Sequence, residues 1–213
     1  MNGGVRIKIP HFLRTVMDDQ LIDAASAGDV EVCRELIEKG ADVHALDDEP
    51  LRWAAQNGHV EACRVLIEHG ADLHANDDAP LRWATHAGRV EVCRLLIDHG
   101  ANACARHNEP FREAALWGYV EICKMLLEKG ADVHIHDNLP LRSTVRRGHV
   151  GVCRLLLEYG ADVHFPDDSP LREAATRGHV GVCRVLIENG ADVHTLGARG
   201  LYGLMHGIVR NVC

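Results

Sequence analysis

The sequence predicts an all-α solenoid of stacked helix-turn-helix units. Three observations carry this. Glycines recur at 40, 70, 100, 130, 160 and 190, and a second set at 28, 58, 88, 118, 148 and 178. Cysteines recur in the same phase at 33, 63, 93, 123, 153 and 183, a period of 30 residues without slippage. Within each period apolar residues fall at helical spacing, as Val60, Cys63, Leu66 and Ile67 do. One such unit cannot bury its apolar face alone, whereas stacked units can. Six units fit: 18–47, 48–77, 78–107, 108–137, 138–167 and 168–197. They leave an N-terminal extension, 1–17, and a C-terminal capping segment, 198–213, expected to supply one more inner helix.

The first helix of each unit opens on a column of Asp18, Asp48, Asp78, Asn108, Asn138 and Asp168, residue types that accept a bond from a free backbone N–H at a helix start. Proline follows two residues later in five units, at Pro50, Pro80, Pro110, Pro140 and Pro170, where its missing N–H does no harm. Leu51, Ala54 and Ala55 share one face, small enough for neighbouring helices to approach closely. Gly58 ends the helix, since glycine adopts the left-handed conformation without strain. The second helix carries the Val60–Ile67 stripe and ends at Gly70. Arg64 and Glu68, four apart, place a solvated face opposite the stripe. "ADVHALD" then leads to the next unit as an extended finger. The first unit has Gln20, Ile22 and Asp23 where the others have Pro, Arg and a variable residue, which marks it as a cap.

The stretch "PLRWAAQNGHVEACRVLIEHGADLHA" resembles an ankyrin repeat, with counterparts of the family's TPLHxAA, GH-hydrophobic-E, LL and GADVN signatures over residues 18–197. Three departures stand out. The unit has 30 residues where the family's has about 33, and the missing ones fall before the proline, so a shorter finger is expected. The TPLH histidine is replaced by Arg52, Arg82, Arg112, Arg142 and Arg172. The asparagine of ADVN is replaced by His44, His74, His134, His164 and His194, with Cys104 in the third full period. Short units beginning "PLRWA" resemble those abundant in giant viruses of amoebae and in some bacteria, which implies such a source.

Bulk properties exclude several classes. The formal net charge of −8 opposes general nucleic-acid binding, which needs clustered Lys and Arg. Aromatic residues make up only 4%, so the core must be aliphatic. No apolar run suits a signal peptide or a membrane span, and "RNVC" is not a prenylation box. A soluble, cytoplasmic, monomeric protein is the expectation.

The periodic reactive residues read as scaffold. Equivalent helices of adjacent units lie about 8–10 Å apart, whereas a disulfide needs Cα atoms within about 4.4–6.8 Å. The cysteines therefore act as small buried hydrophobes. Parallel histidines from stacked units converge poorly on a tetrahedral metal. Their expected role is to bond the fingers together, with His107, His134 and His136 the best adventitious metal cluster. His59, His149 and His179 occupy the family's GH position and are expected to be structural. The arginine column suggests Arg–Asp ladders to Asp47, Asp77, Asp137 and Asp167. No nucleophile–base pairing, phosphate loop or HExxH motif occurs, so neither an enzyme nor a cofactor is expected. Histidine in the ADVN column also argues against the asparaginyl hydroxylation known for the family.

Function is then expected where the units differ. The resemblance implies a non-enzymatic protein-interaction module acting as adaptor, inhibitor or host-targeting effector. A self-associating assembly component and a His/Cys metal-binding protein are the alternatives. Positions equivalent to 53, 56 and 57 share one face of the first helix, opposite the alanines. They bring Trp53, Trp83, Leu116 and Trp117, then Arg146, Arg147 and Arg177, to a concave groove. The variable finger tips Leu46, Asn76, Arg106, His136 and Pro166 would form its rim. Such a surface fits a partner protein with an apolar anchor beside an acidic segment.

Within the repeats, 138–167 departs most from the pattern. Thr144 and Val145 replace the alanine pair, and Gly151 stands in the first turn of the second helix. A weak seam is expected there.

Overall fold

The structure is a computed structural model that describes the backbone of residues 11–164 and 169–197, with side chains from residue 15 on. The chain divides into two compact units, Met1–Asn102 and Ala103–Cys213. Among the described residues there are twelve α-helices and no strand.

The first unit holds α1 (His11–Ala27), α2 (Val30–Glu38), α3 (Ala45–Asn57), α4 (Val60–Glu68), α5 (Ala75–His86) and α6 (Val90–Asp98). They form hairpins α1–α2, α3–α4 and α5–α6. The inner helices α1, α3 and α5 pack side by side, and so do the outer helices α2, α4 and α6. Leu21, Leu51 and Leu81 are fully buried along the inner layer, next to Ala25, Ala54, Ala55 and Ala84. Cys33, Cys63, Cys93, Leu66 and Leu96 fill the outer layer, all fully buried. Each buried leucine contributes about 1.5–3 kcal/mol.

The second unit repeats the plan with α7 (Ala105–Trp117), α8 (Val120–Glu128), α9 (Ile135–Arg147), α10 (Val150–Glu158), α11 (Ser169–Arg177) and α12 (Val180–Glu188), and ends on a 3-10 turn, Val193–Thr195. Phe111, Leu141 and Leu171 line its inner layer. The expected capping helix in 198–213 and the last finger, 165–168, lie outside the described residues. Among the described residues no helix is long and apolar enough to cross a membrane.

Three local expectations are corrected. The finger is not extended. In α3, Leu46, Asp47 and Asp48 all adopt left-handed angles (φ 50, 58 and 58), and the right-handed helix resumes at Glu49. The same turn recurs at Asn76–Asp78, Arg106–Asn108 and His136–Asn138. With three residues fewer before the proline, a left-handed turn closes the distance. Its second and third places hold Asp, Asn or His, the side chains that tolerate this region best.

Second, among the described residues the Asp/Asn column accepts from the backbone of a later finger and not from the N–H groups of its own helix start. Asp48 Oδ1 accepts the backbone N–H of Asp72, in the finger that follows α4, at 2.7 Å. Asp18 accepts that of Asp42, and Asp78 that of Asn102, at the same distance. The histidine column supports this at one remove. His44 Nδ1 donates to Asp48 at 3.1 Å and His74 Nδ1 to Asp78 at 3.0 Å, so each histidine orients the carboxylate that holds the next finger. The predicted finger-binding role thus passes through an acid.

Third, Arg52 pairs with Glu49 of its own helix where an Asp of a neighbouring finger was expected, and Arg82 Nη1 donates to Asn76 O in its own turn. On the outer face Arg64 and Arg94 are solvated as expected and lie 3.5 and 3.6 Å from Glu61 and Glu91, three residues before them.

The GH histidines behave as expected. The Nε2–H of His59 donates to Ser26 O at 3.0 Å, and those of His149 and His179 donate to Leu116 O and Arg146 O at 3.1 Å. Each ring lies on a glycine of the preceding hairpin. A Cβ at Gly28 would meet His59 Nδ1 at 2.4 Å, so only glycine fits there.

Candidate functional site

The inner helices expose one face, and the residues on it differ between hairpins. In the first unit, Leu51, Ala54 and Ala55 turn the buried side of α3 inward, which leaves Trp53 half-buried on the other side. Its Nε1–H donates to Glu49 at 3.0 Å, and the Arg52 guanidinium lies 5.7 Å from its ring centre. Glu49 also pairs with Arg52, so acid, indole and arginine hold one another. On α5, Trp83 is 37% exposed and meets the His86 imidazole edge-on at 6.2 Å. Asn57 donates back to the Ser26 hydroxyl and carbonyl at 3.0 and 2.8 Å, which fixes the variable face of α3 against α1. Among the described residues no ring contact joins Trp53 to Trp83.

In the second unit, Trp117 closes α7, 41% exposed, with Nε1–H donating to Glu113 at 3.0 Å. The Arg147 guanidinium, one hairpin on, lies 5.1 Å from the Trp117 ring centre, a cation–π distance. This joins the apolar and basic parts of the expected surface within one unit. The basic part is not purely basic. Arg146 and Arg177 both donate through Nε to Glu173 Oε1 at 3.1 Å. Partial burial raises the pKa of Glu173, but the bonds from Arg146 and Arg177 outweigh it and hold the carboxyl below its usual range. Leu116, Arg146 and Arg147 also line a cavity of about 160 Å³ together with Leu139, Arg142, Ser143 and Glu173.

The tip residues Leu46, Asn76, Arg106 and His136 are all exposed, each the first left-handed residue of its turn. Pro166 lies outside the described residues. Three acids that complete the site, Glu49, Glu113 and Glu173, were not singled out as binding residues. Their signal was present, since each stands four residues before Trp53, Trp117 or Arg177, the spacing that puts two side chains together on a helix.

The remaining chemistry is quiet. Burial pushes the Cys63, Cys123 and Cys153 thiols up to about 12 and those of Cys33, Cys93 and Cys183 up to about 11, far from the thiolate. Among the described residues no three His, Cys, Asp or Glu side chains gather as a metal site. The ring nitrogens of His44, His74 and His134 are turned to Asp48, Asp78 and Asn138.

A family model for ankyrin repeats (3 copies) matches residues 18–77, 74–137 and 112–196. No curated protein matches the chain. Among solved structures it is similar to the human ASB11 ankyrin repeat domain, with 28% identity and a TM-score of 0.72 over 81% of this chain and 84% of that one.

Proposed function

This chain belongs to the ankyrin-repeat family, whose domains are generally protein-interaction modules without catalytic function, and we propose that it binds a partner protein through the exposed face of its inner helices. The observation that supports this most is the placement of the large side chains. Trp83 and Trp117 remain 37% and 41% exposed on helices that bury Leu81, Ala84, Phe111 and Ala114 completely. Trp83 rests against the His86 ring, and Trp117 is held by Glu113 and Arg147; an indole so held on the surface is a rigid anchor that loses little entropy on docking. The partner carries an apolar anchor for the tryptophans and an acidic segment for Arg146, Arg147 and Arg177. The tips Leu46, Asn76, Arg106 and His136 contribute at the edge. The chain acts as an adaptor, inhibitor or effector, with no cofactor.

The test begins with capture of the partner on the tagged chain from its native cell and identification by mass spectrometry. Trp83→Ala with Trp117→Ala should then weaken binding by about 2 kcal/mol or more, roughly 30-fold, with little change in melting temperature. A double variant that binds as tightly as the parent contradicts this assignment.

A further inference from the structure

The cavity on the inner face of the second unit has a charge imbalance that suits a doubly charged ligand. Arg142, Arg146 and Arg147 line it with the Ser143 hydroxyl, and Leu116 and Leu139 supply its apolar surface. Among the described residues Glu173 is the one acid of the lining, and it is engaged by both Arg146 and Arg177. Among the described residues neither Arg142 nor Arg147 makes a hydrogen bond or an ion pair, and Arg147 is held only against the Trp117 ring. Among the described residues the lining thus holds two arginines without a carboxylate partner. A carboxylate would answer one of them. A phosphate monoester carries a charge of about −1.5 to −2 and three acceptor oxygens, enough for both guanidiniums and the hydroxyl.

We propose that this cavity binds a phosphorylated side chain of the partner protein, with Arg142 and Arg147 as its main donors, Ser143 as a third, and Glu173 as an internal anion that competes for Arg146. The proposal rests on the inner face being the docking surface and adds a condition to it: the acidic element of the partner is strongest when phosphorylated. The apolar neighbour of that side chain then reaches Leu116 and the Trp117 indole. Glu173 keeps the site from holding simple anions tightly, because an incoming phosphate must share Arg146 with it.

The experiment needs no partner. The full chain is titrated with three probes, the N-acetyl N-methylamides of phosphoserine, glutamate and serine, while the Nε–Hε resonances of Arg142, Arg146 and Arg147 are followed by NMR. Phosphoserine should shift Arg142 and Arg147 saturably, at a midpoint at least about tenfold below that of glutamate, and serine should shift neither. Arg142→Gln with Arg147→Gln should abolish the shift at Arg146. Glu173→Gln should tighten phosphoserine binding about threefold or more, by removing the competing charge. That gain is not expected of a residue that merely supports the fold. Equal binding of glutamate, absence of a saturable shift, or failure of Glu173→Gln to tighten binding overturns the proposal. Each of these outcomes leaves the tryptophan-based reading to its own separate test.

Discussion

Asp48 Oδ1 accepts the Asp72 backbone N–H at 2.7 Å, whereas Asn138 Oδ1, in the equivalent place, accepts that of Asp162 at 3.5 Å. Asn108, also an amide, accepts the Asp132 N–H at 3.2 Å. The stitch is short where the acceptor is charged and long where it is an amide, as charge-assisted bonds are. Loss of Asp48 would leave the Asp72 N–H without its partner, so Asp48→Ala should cost about 2–3 kcal/mol. Asn138→Asp should stabilise by about 1 kcal/mol. Urea unfolding checks both, and an Asn138→Asp variant no more stable than the parent contradicts the charge argument.

Residues 138–155 should exchange their amide hydrogens fastest among the internal hairpins. The long Asn138 stitch favours this, as does the crowding of β-branched Thr144 and Val145, both buried, where the other hairpins carry alanine except for the single Thr85. Two features act against it. Thr144 Oγ1 donates to Ala115 O at 3.3 Å, so its hydroxyl is satisfied. Gly151 also leaves room for a neighbour, since a Cβ there would meet Val120 Cγ2 at 2.9 Å. Hydrogen exchange decides the balance: protection of 138–155 equal to that of α3–α6 shows that the hydroxyl and the fitted glycine win.

Leu46 holds a left-handed φ of 50 with a branched side chain that is 69% exposed, so it bears the strain without burying much in return. Asparagine, the residue at the equivalent Asn76, tolerates this region. Leu46→Asn should raise stability by about 1 kcal/mol, read as a higher melting temperature. A lower one would show that Leu46 packs in a way its exposure does not suggest.

The buried thiols make stability fall at alkaline pH. Their folded pKa values, about 11 to 12, lie above the ordinary 9.0. Above pH 9 the unfolded chain therefore loses protons that the folded chain keeps, which favours unfolding. The contribution is complete below pH 9 and is lost as pH rises towards 12. Melting temperature should decline over this window, and Cys63→Val should flatten the decline. An unchanged slope in the variant contradicts the assignment. In the native state at pH 8, thiol reagents should modify half-buried Cys104 well before Cys63, Cys93 or Cys123.

Periodicity made the helix pairs legible, because two glycines per unit, each closing a helix, and an apolar stripe between them leave little choice of element. The tryptophans and arginines of the inner face were legible for a related reason, since i, i+3 and i+4 spacing fixes which side chains share a face. The left-handed turn was not. Asp47–Asp48 reads equally well as a finger tip followed by an N-cap, and only the backbone angles distinguish the two. The Asp48–Asp72 bond was hidden because it joins residues 24 apart, one in α3 and one in the finger after α4. Glu173 was visible as a sequence position, but its effect on Arg146 depends on a contact 27 residues away that no local spacing predicts.

Site-specific photo-crosslinking tests the docking surface most directly. A benzoylphenylalanine is placed singly at Gln56, His86 or Ser143 on the inner helices, and at Arg64, Arg94 or Arg154 on the outer ones, and each chain is irradiated with the purified partner. The inner three should each give an adduct with that partner and the outer three none. Adducts from Arg64, Arg94 or Arg154, with none from the inner positions, would place the partner on the outer helices and contradict the account.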